Sequence, residues 1–149
     1  MEATPKPTGP FLRAAFFCEK VLIEKDNVKS FVRMIDQITH THAGPDAPES
    51  LASFTYPFTL YVSLKAGTAN GRCNYTLRME LPSGLSSTIA TGSMNFPGAP
   101  NQGVDLISPM QLQFEHEGVY WFEFEVDGIV LTRMPLHVLY QRITPGTGQ

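Results

Sequence analysis

The chain is poor in the residues that most often carry chemistry. It holds two cysteines, four histidines and one tryptophan in 149 residues. Cys18 and Cys73 are not spaced as metal ligands, and each falls in a segment expected to be a strand. They read as two reduced, buried thiols of a cytosolic protein, with a single disulfide between strands as the alternative. There is no GxSxG elbow, no phosphate-binding glycine loop, no HExxH and no CxxC. Their absence removes the signatures by which common hydrolases, nucleotide-binding enzymes, zinc peptidases and thiol oxidoreductases are recognised.

Clustered positive charge is missing too. Eleven Lys and Arg stand against 14 Asp and Glu, a net charge of −3, and no basic patch breaks the pattern. A nucleic-acid partner is therefore not expected. No stretch approaches the roughly 18 apolar residues of a membrane span. Glu2 and Arg13 interrupt the N-terminal segment, so no secretory leader is expected either. The expected compartment is the cytoplasm, which also makes the glycosylation-like tripeptide Asn74-Tyr75-Thr76 uninformative.

What is present is a core and its punctuation. Apolar residues make up 42% of the chain and aromatics 11%, enough for a globular fold. At this length a single domain buries roughly 70% of the surface its unfolded chain exposes. Residues 1–10 carry three prolines and a glycine and read as a flexible arm, 11–143 as one domain, and 144–149 as a frayed tail.

The strongest pattern runs from Gly118 to Tyr140. Tyr120, Phe122, Phe124 and Val126 alternate with Trp121, Glu123, Glu125 and Asp127, giving one apolar face and one mostly acidic face. Asp127-Gly128 then supplies a two-residue type I′ hairpin loop. Across that loop Val126 faces Ile129 and Phe124 faces Leu131, yet Met134, Leu136 and Val138 resume the apolar pattern on the other parity. One extra residue restores the register, and a bulge is expected near Arg133-Met134-Pro135.

Similar alternation marks Phe54 to Lys65, Arg72 to Leu81 and Val104 to His116, with Pro109 at a bulge or unpaired position. Arg13 to Glu24 is an apolar strand candidate, and Leu85 to Phe96 a small, Ser/Thr-rich weak edge strand. Val28 to His40 is ambiguous. Val28, Phe31, Val32, Ile35 and Ile38 fit helical spacing, but five of its 13 residues are β-branched, which favours a strand. The segments together predict an all-β, two-layer antiparallel β-sandwich of about seven or eight strands.

AFFCEKVLIEKDNVKSFVRMIDQIT near the start and GVYWFEFEVDGIVLTRMPLHVLYQR near the end resemble an uncharacterised family of small bacterial proteins. PFTLYVSLKAG extends the resemblance loosely through the middle. It implies a cytoplasmic sandwich of immunoglobulin-like or C2-like type, supports the strand reading of Val28 to His40, and carries no activity or site.

Candidate chemistry is sparse. His40 and His42 share one side of a strand with Asp46 beyond, a weak metal-ligand pattern better read as polar residues at a strand end. His116 and His137 have no nucleophile beside them. Asp26, Asp46, Glu49, Asp105 and Asp127 are scattered over different turns, so calcium is not expected, nor any other cofactor. Arg33 and Asp36 read as local ion-pairing residues; the sharper reading buries Arg33 or Arg133 as a register-fixing guanidinium. Trp121 either packs over Met134 or offers a contact surface. The binding residues expected are Trp121, Glu123, Glu125, Arg133 and Tyr140. The expected role is that of a non-enzymatic interaction or structural module, contacting another protein or a second copy of itself. The alternative is a small-ligand or carbohydrate-binding module in which Trp121, Tyr140 or Tyr61 stacks on a sugar ring.

Overall fold

A computed structural model describes residues 9–143. The tail expected over 144–149 and all of the expected arm but Gly9 and Pro10 lie outside the described residues. Nine strands and no helix occur among those described: β1 (Phe11–Ile23), β2 (Lys29–Ile35), β3 (Gln37–Ala43), β4 (Phe54–Lys65), β5 (Gly71–Glu80), β6 (Ser86–Phe96), β7 (Gly103–Phe114), β8 (Gly118–Val126) and β9 (Ile129–Ile143). They form two sheets, a four-stranded one in the order β2-β1-β4-β7 and a five-stranded one in the order β3-β9-β8-β5-β6.

The inner faces follow the alternation. Tyr120, Phe122, Phe124 and Val126 of β8 are buried with Phe58, Leu60, Val62 and Leu64 of β4. Phe17 of β1 joins the sheets, its ring centroid 4.8 Å from that of Phe122 and 5.2 Å from that of Phe58. Such offset and edge-on aromatic contacts bury large apolar areas without steric conflict. Cys18 and Cys73 are free and buried.

Three features depart from expectation. The Val28 to His40 segment is extended but is two strands, breaking at Asp36 to pass from one sheet to the other. That break accounts for the mixed spacing, because Ile35 and Ile38 reach the same core from opposite sheets. The sandwich is not wholly antiparallel either, since β3 runs parallel to β9 from Gln37↔His137 to Ala43↔Ile143. A strand that switches sheets without a hairpin is free to enter the second sheet in that sense. Finally, the hairpin bulge falls at Leu131, not at 133–135. Val126 pairs Ile129 and Glu125 pairs Val130, but Phe124 pairs Thr132. Asp127 and Gly128 both have positive φ, 47° and 84°, as the type I′ loop requires. The extra residue is taken up directly beside that loop, where twist is greatest, leaving Met134 and Leu136 on the core side.

The outside of the four-stranded sheet is also covered. Phe58 to Leu64 form an unbroken run of seven buried residues, where alternation predicts one buried face. The cause is the tip of the β1–β2 hairpin. In a flat sheet Lys29 would stand three strand spacings, roughly 14 Å, from β7. Its Nζ is instead 2.8 Å from Asp105 Oδ2 on β7. Phe31 likewise lies against Phe16 and Tyr61, with centroids 4.8 and 4.6 Å apart. The hairpin bends back over the sheet, and Arg33 sits in the bend with a φ of 52°. Cys18, Thr59, Tyr61 and Ser63, all on the outward parity, are buried as a result.

Candidate functional site

The outward residues of the five-stranded sheet bring four of the five expected binding residues together. On β8 these are Trp121, Glu123 and Glu125, each alternating with a core residue. Register sets their neighbours. Trp121 lies between Glu80 of β5 and Pro135 of β9, and Glu123 lies between Arg78 and Arg133.

Arg133 is the hub. Its Nη2 donates to Glu80 Oε2 at 3.1 Å, and its Nε is 3.3 Å from Glu123 Oε1. To reach Glu80 it crosses β8, which brings the guanidinium carbon 5.0 Å from the Trp121 ring centroid. The indole face attracts the cation while two carboxylates fix its plane. Arg78 makes a second pair with Glu125, whose side chain is largely buried. The five charged groups sum to 2 − 3 = −1. Arg33 forms no such anchor among the described residues: its side chain is 77% exposed and pairs with Glu19 at 3.5 Å. The bend that places it in the left-handed region also turns it to solvent.

Between these residues lies a shallow pocket of about 310 Å³, lined by Arg78, Glu80, Ser86, Trp121, Glu123 and Arg133. Trp121 keeps 36% of its surface exposed. Among the described residues that line the pocket there is no histidine or cysteine, and both carboxylates, Glu80 and Glu123, are paired with Arg133. The lining offers a flat aromatic, two fork-shaped cations and two carboxylates.

Tyr140 is elsewhere. It has the parity of Leu136 and Val138, its hydroxyl donates to the Pro48 carbonyl at 2.6 Å, and its amide donates to Glu117 Oε1 at 2.8 Å. Tyr61 is buried on the other sheet with its hydroxyl on Asp105. His40 stacks on Phe54, rings 4.2 Å apart and 9° from parallel. Among the described residues no group of three or more His, Cys, Asp or Glu is placed to hold a metal ion.

Arg78 and Glu80 complete the site but do not stand out in the sequence. Their one signal is position on the polar parity of β5, and local pattern does not say that β5 lies beside β8. Asp105 was also missed as a structural centre. It accepts from Ser63 Oγ at 2.6 Å and Tyr61 OH at 2.9 Å, besides pairing with Lys29. Burial pushes the Asp105 carboxyl up, but Lys29, Ser63 and Tyr61 outweigh it and hold the group below its ordinary value. The same bond holds Lys29 above its own.

Compared with known proteins, the chain matches the model of one family of unknown function over residues 13–139. No curated protein and no solved structure matches it.

Proposed function

The chain belongs to DUF6941, a family of unknown function, and we propose that it is a non-enzymatic protein-interaction module that binds through the outer face of its five-stranded sheet. The observation that carries this reading is the half-exposed Trp121 with Arg133 laid across it and carboxylates on both sides. Tryptophan and arginine dominate interface hot spots because each gives much contact area per immobilised bond. Here both are already ordered, so little further freedom is lost on association.

The carbohydrate-binding alternative meets a specific obstacle. A sugar stacking on the Trp121 face that Arg133 covers must displace a guanidinium held by two carboxylates. Tyr61 is buried and Tyr140 lies on the inner parity, so neither adds a second platform.

Of the two sandwich types, the immunoglobulin-like one is better supported. In that class a tyrosine near the start of a late strand bonds back to the corner before it. Tyr120 does this, donating to the His116 carbonyl at 2.7 Å and accepting from the His116 amide at 3.3 Å. A cytoplasmic, bacterial setting follows the sequence resemblance and the reduced state read for the two thiols.

Capture from the source lysate tests the interaction. The wild-type chain is expected to retain a partner that Arg133→Glu loses, with affinity falling at least about 30-fold, the size of a hot-spot loss. Thermal stability should fall modestly and the fold should persist, since a like charge then faces Glu123 and Glu80 but the position is 49% exposed and solvated. Trp121 emission should shift with that partner and not with a panel of glycans. A glycan-induced shift, or capture that Arg133→Glu leaves intact, counts against this reading.

A further inference from the structure

We propose that β6 is a self-pairing edge, through which two copies of the chain join their five-stranded sheets into one of ten strands. Four strands close the two sheets: β2 and β7 in one, β3 and β6 in the other. Edges offer unpaired N–H and C=O groups, and proteins guard them with charge, proline, bends or shortness. β2 carries Lys29 and Arg33 and is bent at Arg33. β7 carries Asp105 and Pro109. β3 has seven residues. β6 has eleven, SSTIATGSMNF, with neither charge nor proline, in a chain that is 17% charged. Among the described residues β5 is its one strand partner.

The occupant that fits this edge is a second copy. Opposite β5 the register is unbroken from Ala90↔Leu77 to Phe96↔Gly71, and the irregularity between Leu77 and Arg78 stops the regular run at Ala90. The pairable segment is therefore Ala90 to Phe96, and its midpoint is Ser93. Antiparallel pairing about a two-fold axis through Ser93 sets Ser93 against its own copy and Thr91 against Asn95. On the inner parity it sets Gly92 against Met94 and Ala90 against Phe96. The outward pairs are all hydrogen-bonding, and Thr91, Ser93 and Asn95 are exposed. The inward pairs match a small residue with a large one. Self-pairing about a two-fold axis ordinarily fails by setting like charges opposite each other. Here the segment has none, and Arg72, opposite Asn95, stands one strand further in.

Light scattering and sedimentation across a concentration series test the pairing. The wild-type chain should reach a dimer, and Ser93→Lys and Ser93→Asp should each remain monomers with unchanged circular dichroism. Mixing the two variants should restore a dimer. A two-fold axis at Ser93 brings opposed Cα atoms to about 4.5–5.5 Å, within disulfide range. Ser93→Cys should therefore cross-link to itself on mild oxidation, whereas Thr88→Cys should not. This near-isosteric variant decides the matter even where a charged one fails to fold. A wild-type chain that stays monomeric at about 1 mM, a dimer that survives Ser93→Lys, or no Ser93→Cys cross-link overturns the proposal. Arg133→Glu should leave the dimer intact, so this edge and the Trp121 face stand or fall separately.

Discussion

Phe122→Ala is expected to destabilise the fold by about 3–5 kcal/mol, while Trp121→Ala, one residue away, costs about 1 kcal/mol. Phe122 is wholly buried, paired with Met79 and Met134, and meets Phe17 of the other sheet at 4.8 Å. Its removal leaves a cavity between two sheets whose backbones are tied by their ladders and cannot close together. Trp121 loses a cation–π contact on a solvated face, and Arg133 keeps both its carboxylates. A domain this size has a total stability of about 5–15 kcal/mol, so Phe122→Ala should shift the urea midpoint severely and Trp121→Ala barely. Equal costs would mean that Trp121 is a packing residue, and the proposed contact surface would go with it.

That contrast is also where the sequence is most informative. Alternation through β4, β5, β7 and β8 fixes which side chains enter the core, because period two and a buried face admit only one phase. Asp127-Gly128 forces its turn for a local reason, positive φ at both positions. The less legible features are non-local. The bulge was implied by parity, but its place at Leu131 depends on how strand twist is shared along the hairpin. The break at Asp36 looks in sequence like helical spacing, since two short strands in different sheets put apolar residues at mixed intervals. The proposed contact face is half legible: Trp121, Glu123, Glu125 and Arg133 lie on strands joined by one turn. Arg78 and Glu80 needed the β5–β8 pairing, which sets them opposite Glu123 and Trp121 and shows in no local pattern.

Asp105→Ala is expected to cost about 2–3 kcal/mol, which is large for a side chain 26% exposed. The loss comes from what remains: buried Ser63 and Tyr61 hydroxyls without their acceptor and a Lys29 ammonium without its counter-charge. The pH dependence follows from the two directions. Asp105 titrates lower folded than unfolded, so its contribution is complete above the unfolded value and is lost as pH falls below about 4. Lys29 titrates higher folded, so its contribution is complete below its unfolded value and is lost as pH rises above about 10.5. Asp105→Asn should flatten the acid limb of the stability profile in urea titrations at successive pH values. Because these bonds pin the bent hairpin, Asp105→Ala should also free its tip before the sandwich unfolds. Cys18, fully buried on the outward parity beside Phe16, reports that motion. With Cys73 replaced by alanine, Cys18 should react with a thiol reagent faster in Asp105→Ala than the loss of global stability accounts for. Labelling that tracks global unfolding alone would show that the hairpin is held by Phe31 against Phe16 and Tyr61, and not by the Asp105 bonds.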